Sequence, residues 1–156
     1  MTRPAPHVPS AAPAPAPASV QLMDQLAQAA ASYYRNFAAV AAGRGLTLMQ
    51  GKMLSLLRQP MPMRTLADLL ACDASNVTGI VDRLEARELV RREADPADRR
   101  VKLVLLTESG QRTVEEIRAE LMSELSGLET LDEADRHALR RLLGQIFPAE
   151  HARPPR

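Results

Sequence analysis

The chain has no tryptophan, and aromatic residues make up only 3% of its 156 positions. Leu, Ala, Val and Met are abundant instead, which favours aliphatic helix packing over a β-sandwich. A single cysteine, Cys72, excludes an intrachain disulfide and a cysteine-based zinc-ligand set. No run of about 18 apolar residues is present, so no helix is expected to span a bilayer. A glycine-rich phosphate loop is absent. The three histidines, His7, His137 and His151, lie in or near the tails and the last expected helix, away from any nucleophile the sequence marks. These gaps together argue against an enzyme, and neither cofactor nor metal is expected. An excess of positive charge is missing too: the formal net charge is +1, so any nucleic-acid binding must rest on local arrangement.

What is present suits one cytoplasmic domain. At 46% hydrophobic and 25% charged residues, the chain is long enough for a real core and too short to expect two. The segment 1–19, rich in proline and alanine, lacks the apolar block of a signal peptide and is expected to be a disordered tail. The domain is expected over 20–150, followed by a loose tail at 151–156.

Leu22, Leu26, Ala30, Tyr33, Phe37 and Val40 fall mostly four apart, which predicts a long amphipathic helix ending near Gly43 and Gly45. A second helix is expected from Thr47, an N-cap residue type, through Met49, Met53, Leu54 and Leu57 to the break at Pro60 and Pro62. Towards the C-terminus, Val114, Ile117, Leu121, Leu125 and Leu128 repeat three or four apart. Leu139, Leu142, Leu143 and Ile146 share one face of a last helix starting near Asp132. The helices of 20–43 and 108–149 carry more apolar surface than a monomer needs. Either they pair with a second copy or they close an intrachain bundle.

Between them, 47–106 reads as a winged helix-turn-helix, giving a mainly α fold with a small β-hairpin wing. Leu66, Leu69 and Leu70 mark one short helix, Ala71-Cys72-Asp73 a turn, and Val77, Ile80, Val81 and Leu84 the inward face of a second helix. Val90 to Ala94 alternates, Asp95-Pro96-Ala97-Asp98 turns, and Val101 to Leu106 returns as a hairpin.

The run from Asp73 to Gly110, with SNVTGIVDRLE, DPADRR and LTESG at close spacing, resembles the MarR family of bacterial transcription regulators. The resemblance covers roughly Val20 to Glu150. It implies an obligate homodimer joined by the first and last two helices. At Glu88 the family usually carries a glycine that relieves a left-handed backbone, so a cost of about 1 kcal/mol is expected if Glu88 adopts that conformation.

The DNA-facing residues follow from the chemistry of the grooves. The second short helix, capped by Asp73, is expected to present Ser75, Asn76, Thr78, Gly79 and Arg83 on or beside its solvent face. Asn pairs with adenine, Arg with guanine and Thr with a thymine methyl, while Gly79 allows close approach. The plainer reading has Ser75 and Asn76 finishing the helix start and Arg83 pairing with a carboxylate. Asp82 repels phosphate and suits an orienting role beside a basic side chain. At the wing tip, Asp98, Arg99 and Arg100 suit a narrow A·T-rich minor groove, with Asp98 holding one arginine. By resemblance one arginine of the DRR triplet enters that groove. Which one stays open, as does a merely solvated turn. Arg64 and Lys102 are further phosphate-contact candidates. Across 64–102, eight basic residues face eight acidic ones.

Two other features carry readings. Cys72 beside Asp73 is a small residue suited to packing in the turn, and the alternative is a thiol that senses oxidants. The resemblance also implies a phenolic or aromatic effector. Tyr33, Tyr34, Arg35, Phe37 and Met53 are its candidate contacts, although such a set at helical spacing also reads as core. The expected function is a homodimeric repressor that binds double-stranded DNA at a palindromic operator and is released by that effector. The competing class is a winged-helix protein-interaction module without DNA binding.

Overall fold

A computed structural model describes residues 17–148. The expected tail at 151–156 and all but the last three residues of the expected tail at 1–19 lie outside the described residues. The chain divides into two units, Met1–Arg35 and Asn36–Arg156. The first contributes the exposed early turns of helix α1 (Ala18–Ala42), whose Leu22 and Met23 are turned to solvent.

The second unit begins with the end of α1, where Phe37, Val40 and Ala41 are buried. Helix α2 (Leu48–Leu56) starts in a full capping box. The Thr47 hydroxyl accepts from the Gln50 backbone N–H, and the Gln50 side chain accepts from the Thr47 N–H. Gly51 is needed here, because a Cβ would lie 2.8 Å from the Phe37 ring. Helix α3 (Met63–Leu70) buries Leu66, Ala67 and Leu70. Of the three apolar residues that mark this helix in the sequence, Leu69 is exposed, and Ala67 is buried beside Leu66. Ala71 ends α3 in the left-handed region at φ 50°, with the Cys72 N–H donating to the Ala67 carbonyl.

Helix α4 (Ala74–Glu85) follows, its Val77, Ile80, Val81 and Leu84 buried as the spacing predicts. Strands β2 (Val90–Ala94) and β3 (Lys102–Leu106) form the antiparallel wing, with Arg92 opposite Val104. A third strand, β1 (Met61–Pro62), pairs with β3 and makes the sheet order β1-β3-β2. Two residues ending in proline leave no alternating pattern to read, and proline is tolerated because β1 is an edge. Helix α5 (Glu108–Glu124) starts at Thr107 and buries Val114, Ile117 and Leu121. A short 3-10 turn (Ser126–Leu128) leads to α6 (Glu133–Ile146), whose N-cap Asp132 accepts from the Asp135 N–H.

One core joins α2, α3, α4, β3 and α5 through Met53, Leu54, Leu66, Leu84, Val104 and Ile117, all essentially inaccessible. Each such side chain contributes roughly 1.5–3 kcal/mol on burial, so α4 is held from below by four anchors. Helix α6 contributes nothing to this core, and its Leu139, Leu142, Leu143 and Ile146 are exposed.

Candidate nucleic-acid interface

Burying Val77, Ile80, Val81 and Leu84 leaves the other face of α4 to water. Ser75, Asn76 and Arg83 are exposed and make no side-chain hydrogen bond or ion pair among the described residues. Asp73 occupies the N-cap position, but its side chain accepts no capping hydrogen bond. Neither Ser75 nor Asn76 is therefore engaged at the helix start, and the arginine expected to be a possible carboxylate partner, Arg83, has none. The Thr78 hydroxyl donates to the Ala74 carbonyl at 2.9 Å, which occupies its donor within the helix. At Gly79 a Cβ would meet nothing within 4 Å. No protein packing demands glycine there, although glycine in a helix interior costs about 1 kcal/mol relative to alanine.

The carboxylate on this face is engaged. Arg92 of β2 places Nη2 2.5 Å from Asp82 Oδ1, and its Nη1 donates to Glu85 Oε2. The Arg92 backbone N–H also donates to Glu85 Oε1 at 3.2 Å. Partial burial works against the Arg92 charge, but the hydrogen bonds and charges of Asp82 and Glu85 outweigh it and raise its pKa above the ordinary arginine value. The orienting role expected of Asp82 thus has a partner, and it is Arg92 rather than the adjacent Arg83. Sequence reading missed Arg92, although a signal was there: it shares strand parity with buried Val90, while Asp82 and Glu85 lie three apart on α4.

At the wing tip the two aspartates close the loop. Asp95 Oδ1 accepts from the Ala97 N–H at 2.8 Å, and Asp98 Oδ1 from the Arg100 N–H at 3.0 Å. Asp98 thus holds Arg100 by its backbone, where the expectation was a guanidinium. Arg99 and Arg100 are exposed, and neither guanidinium has a partner among the described residues. Arg64 at the start of α3 and Lys102 at the start of β3 are likewise exposed and without ion pairs. Local arrangement therefore resolves the balanced charge tally: several carboxylates are occupied within the fold while the candidate cations remain available.

A second arginine left out of the sequence reading ties α4 to the rest of its unit. Arg87 donates to the carbonyl oxygens of Gly45 at 2.8 Å and Arg44 at 2.9 Å. Arg44 in turn pairs with Glu120 at 2.8 Å and Glu116 at 3.4 Å on α5. Cys72 is half-buried in the α3–α4 turn and packs against the core.

The residues considered for an effector fall in different settings. Tyr33 and Tyr34 are exposed, with ring centroids 5.4 Å apart and edge-on, and Arg35 is exposed. Phe37 and Met53 are core residues. Separately, a cleft of about 520 Å³ opens between α2, β3 and α5. Leu54, Leu57, Leu106 and Val114 line it together with Arg58 and Arg118, which have no ion pair among the described residues. No described helix is long and apolar enough to cross a membrane.

Known proteins share this architecture. A profile of the MarR family matches residues 46–102. The transcriptional repressor NicR of Pseudomonas putida is 38% identical over 109 residues, covering 67% of this chain and 68% of the relative. Among solved structures, CouR from Rhodococcus jostii, bound to p-coumaroyl-CoA, superposes with a TM-score of 0.70 at 27% identity, over 83% of this chain and 94% of CouR. BpsR from Bordetella bronchiseptica, whose DNA binding is regulated by 6-hydroxynicotinic acid, gives a TM-score of 0.61 at 30% identity, over 81% and 98% of the two chains. The chain belongs to the MarR family of DNA-binding, winged-helix transcription regulators.

Proposed function

We propose that the chain is a homodimeric, cytoplasmic repressor that reads a palindromic operator and is released by a small aromatic effector. The observation that carries this reading is the division of charge around α4. Among the described residues, Asn76 and Arg83 are exposed and unengaged, Asp82 is taken by Arg92, and Arg99 and Arg100 have no side-chain partner at the wing tip. Side chains of these types match base edges in the major groove and the negative minor groove. Ser75, Thr78 and Gly79 complete the groove-facing set, while Arg64 and Lys102 lie where phosphates would pass. Asp98 shapes the tip. An interaction module would present an apolar surface here, and the polar face favours DNA over that alternative.

Dimerisation is supported by apolar residues the chain leaves in water. On α6 alone Leu139, Leu142, Leu143 and Ile146 are exposed, with Phe147 just beyond, a stripe that association would cover. Two recognition helices about 34 Å apart then meet successive major grooves, and an effector that favours another spacing lowers affinity. The cleft between α2 and α5 is lined by two arginines and by apolar side chains, which suits an aromatic acid such as the 6-hydroxynicotinic acid that regulates DNA binding by BpsR. Tyr33, Tyr34, Arg35, Phe37 and Met53 remain the alternative effector candidates.

The test is selection from random duplex oligonucleotides with purified protein, followed by salt titration of the best site against a scrambled one. An enriched palindrome with half-sites about one helical turn apart is expected. Weak, salt-sensitive binding without enrichment would overturn sequence-specific repression.

A further inference from the structure

Arg92 holds both carboxylates that α4 turns towards the wing. Its guanidinium joins Asp82 and Glu85, its backbone N–H also donates to Glu85, and the side chain is 24% exposed, whereas Asp82 is 59% exposed. Asp82 is therefore exposed, although paired, on the solvent face of α4 that also carries Asn76 and Arg83. A duplex presents one negative charge per roughly 1.7 Å of axis, so an uncompensated carboxylate at that position repels it.

We propose that Arg92 is a positioning residue for operator reading: it compensates Asp82 and Glu85 beside the recognition surface and is itself kept off the phosphates by them. This rests on the reading that α4 faces DNA. Two consequences follow from one geometry. Without Arg92, two bare carboxylates confront the duplex. Without the carboxylates, Arg92 is released as one more mobile cation, able to bind any phosphate and so to strengthen binding without regard to sequence.

The test compares four full-length proteins on the selected operator and a scrambled duplex across a salt series: wild type, Arg92→Met, Asp82→Asn/Glu85→Gln, and the combination of all three substitutions. Arg92→Met is expected to weaken operator binding about tenfold or more at low salt, with the loss shrinking as screening increases. The triple variant is expected to recover to within about threefold of wild type, because neutral amides no longer need compensation. The double variant is expected to bind scrambled DNA several-fold more tightly and so lower the specificity ratio, by about one extra phosphate contact. A purely structural ion pair, or direct phosphate contact by Arg92, predicts instead that the triple variant stays as weak as Arg92→Met, and that result overturns the proposal. If Arg92→Met does not fold, the double variant decides alone, and unchanged binding to scrambled DNA rejects the idea. Wild-type protein that binds no duplex at any salt removes the DNA reading and this proposal with it. Wild-type binding without recovery or loss of specificity removes the Arg92 role only.

Discussion

Gly110 lies against Leu89: a Cβ on Gly110 would stand 1.9 Å from the Leu89 carbonyl oxygen. That carbonyl also accepts from the Thr107 N–H, and the Thr107 hydroxyl donates to the Glu88 carbonyl at 2.6 Å. The start of α5 is thereby locked to the entry of β2, which sets the root of the wing.

Gly110→Ala must therefore move backbone against backbone. We expect a loss of about 3 kcal/mol, the upper end for overpacking, read as a lowered denaturation midpoint. Wild-type stability in this variant would show that the two segments are not in contact.

On the proposed DNA reading, Arg83 and Arg64 are expected to separate base reading from phosphate binding. Arg83→Ala is expected to cost about 1 to 3 kcal/mol at the operator and to relax selection at one base position, whereas Arg64→Ala should weaken all sequences evenly. Binding isotherms on single-base operator variants distinguish the two, and equal effects of both substitutions on every duplex would remove Arg83 from base recognition.

Glu88 has φ 56° and Leu89 donates back to the Leu84 carbonyl at 3.0 Å, so α4 ends in a left-handed cap built without glycine. Glu88→Gly is expected to stabilise the chain by about 1 kcal/mol and to raise the thermal midpoint. Destabilisation would mean that the Glu88 side chain contributes more than its backbone strain costs.

Arg87 joins the exit of α4 to the loop after α1 through the carbonyls of Arg44 and Gly45. Because the pair of hydrogen bonds is solvent-exposed, Arg87→Met should cost only about 1 kcal/mol of stability. The base preference of the operator is expected to stay the same in a repeated oligonucleotide selection. A changed preference would make Arg87 part of the reading surface.

Much of this was legible in order along the chain. The four-residue spacing of Val77, Ile80, Val81 and Leu84 placed α4 and its inward face, and Thr47 and Asp132 marked helix starts that their side chains do cap. The alternation on either side of Asp95-Pro96 located both strands of the wing. Local pattern misled where local pattern carried no information: Leu69 is apolar yet exposed, and Met61–Pro62 is too short to show a period. The candidate DNA residues were named from side-chain chemistry, but whether each carboxylate or cation stood free was not readable.

Sequence by itself determined which residues turn inward, where helices begin, and that a wing bearing Arg99 and Arg100 follows a polar helix, because periodicity and capping depend on neighbours within a few positions. Only the tertiary structure decided which charges are engaged. Arg92 meets Asp82 and Glu85 across a helix end and a strand, Arg44 reaches Glu116 and Glu120 over more than seventy positions, and Gly110 owes its place to the Leu89 carbonyl. Those pairings depend on distances in space that the order of residues does not contain, so which charges of an evenly balanced run are paired is decided only once the chain is folded.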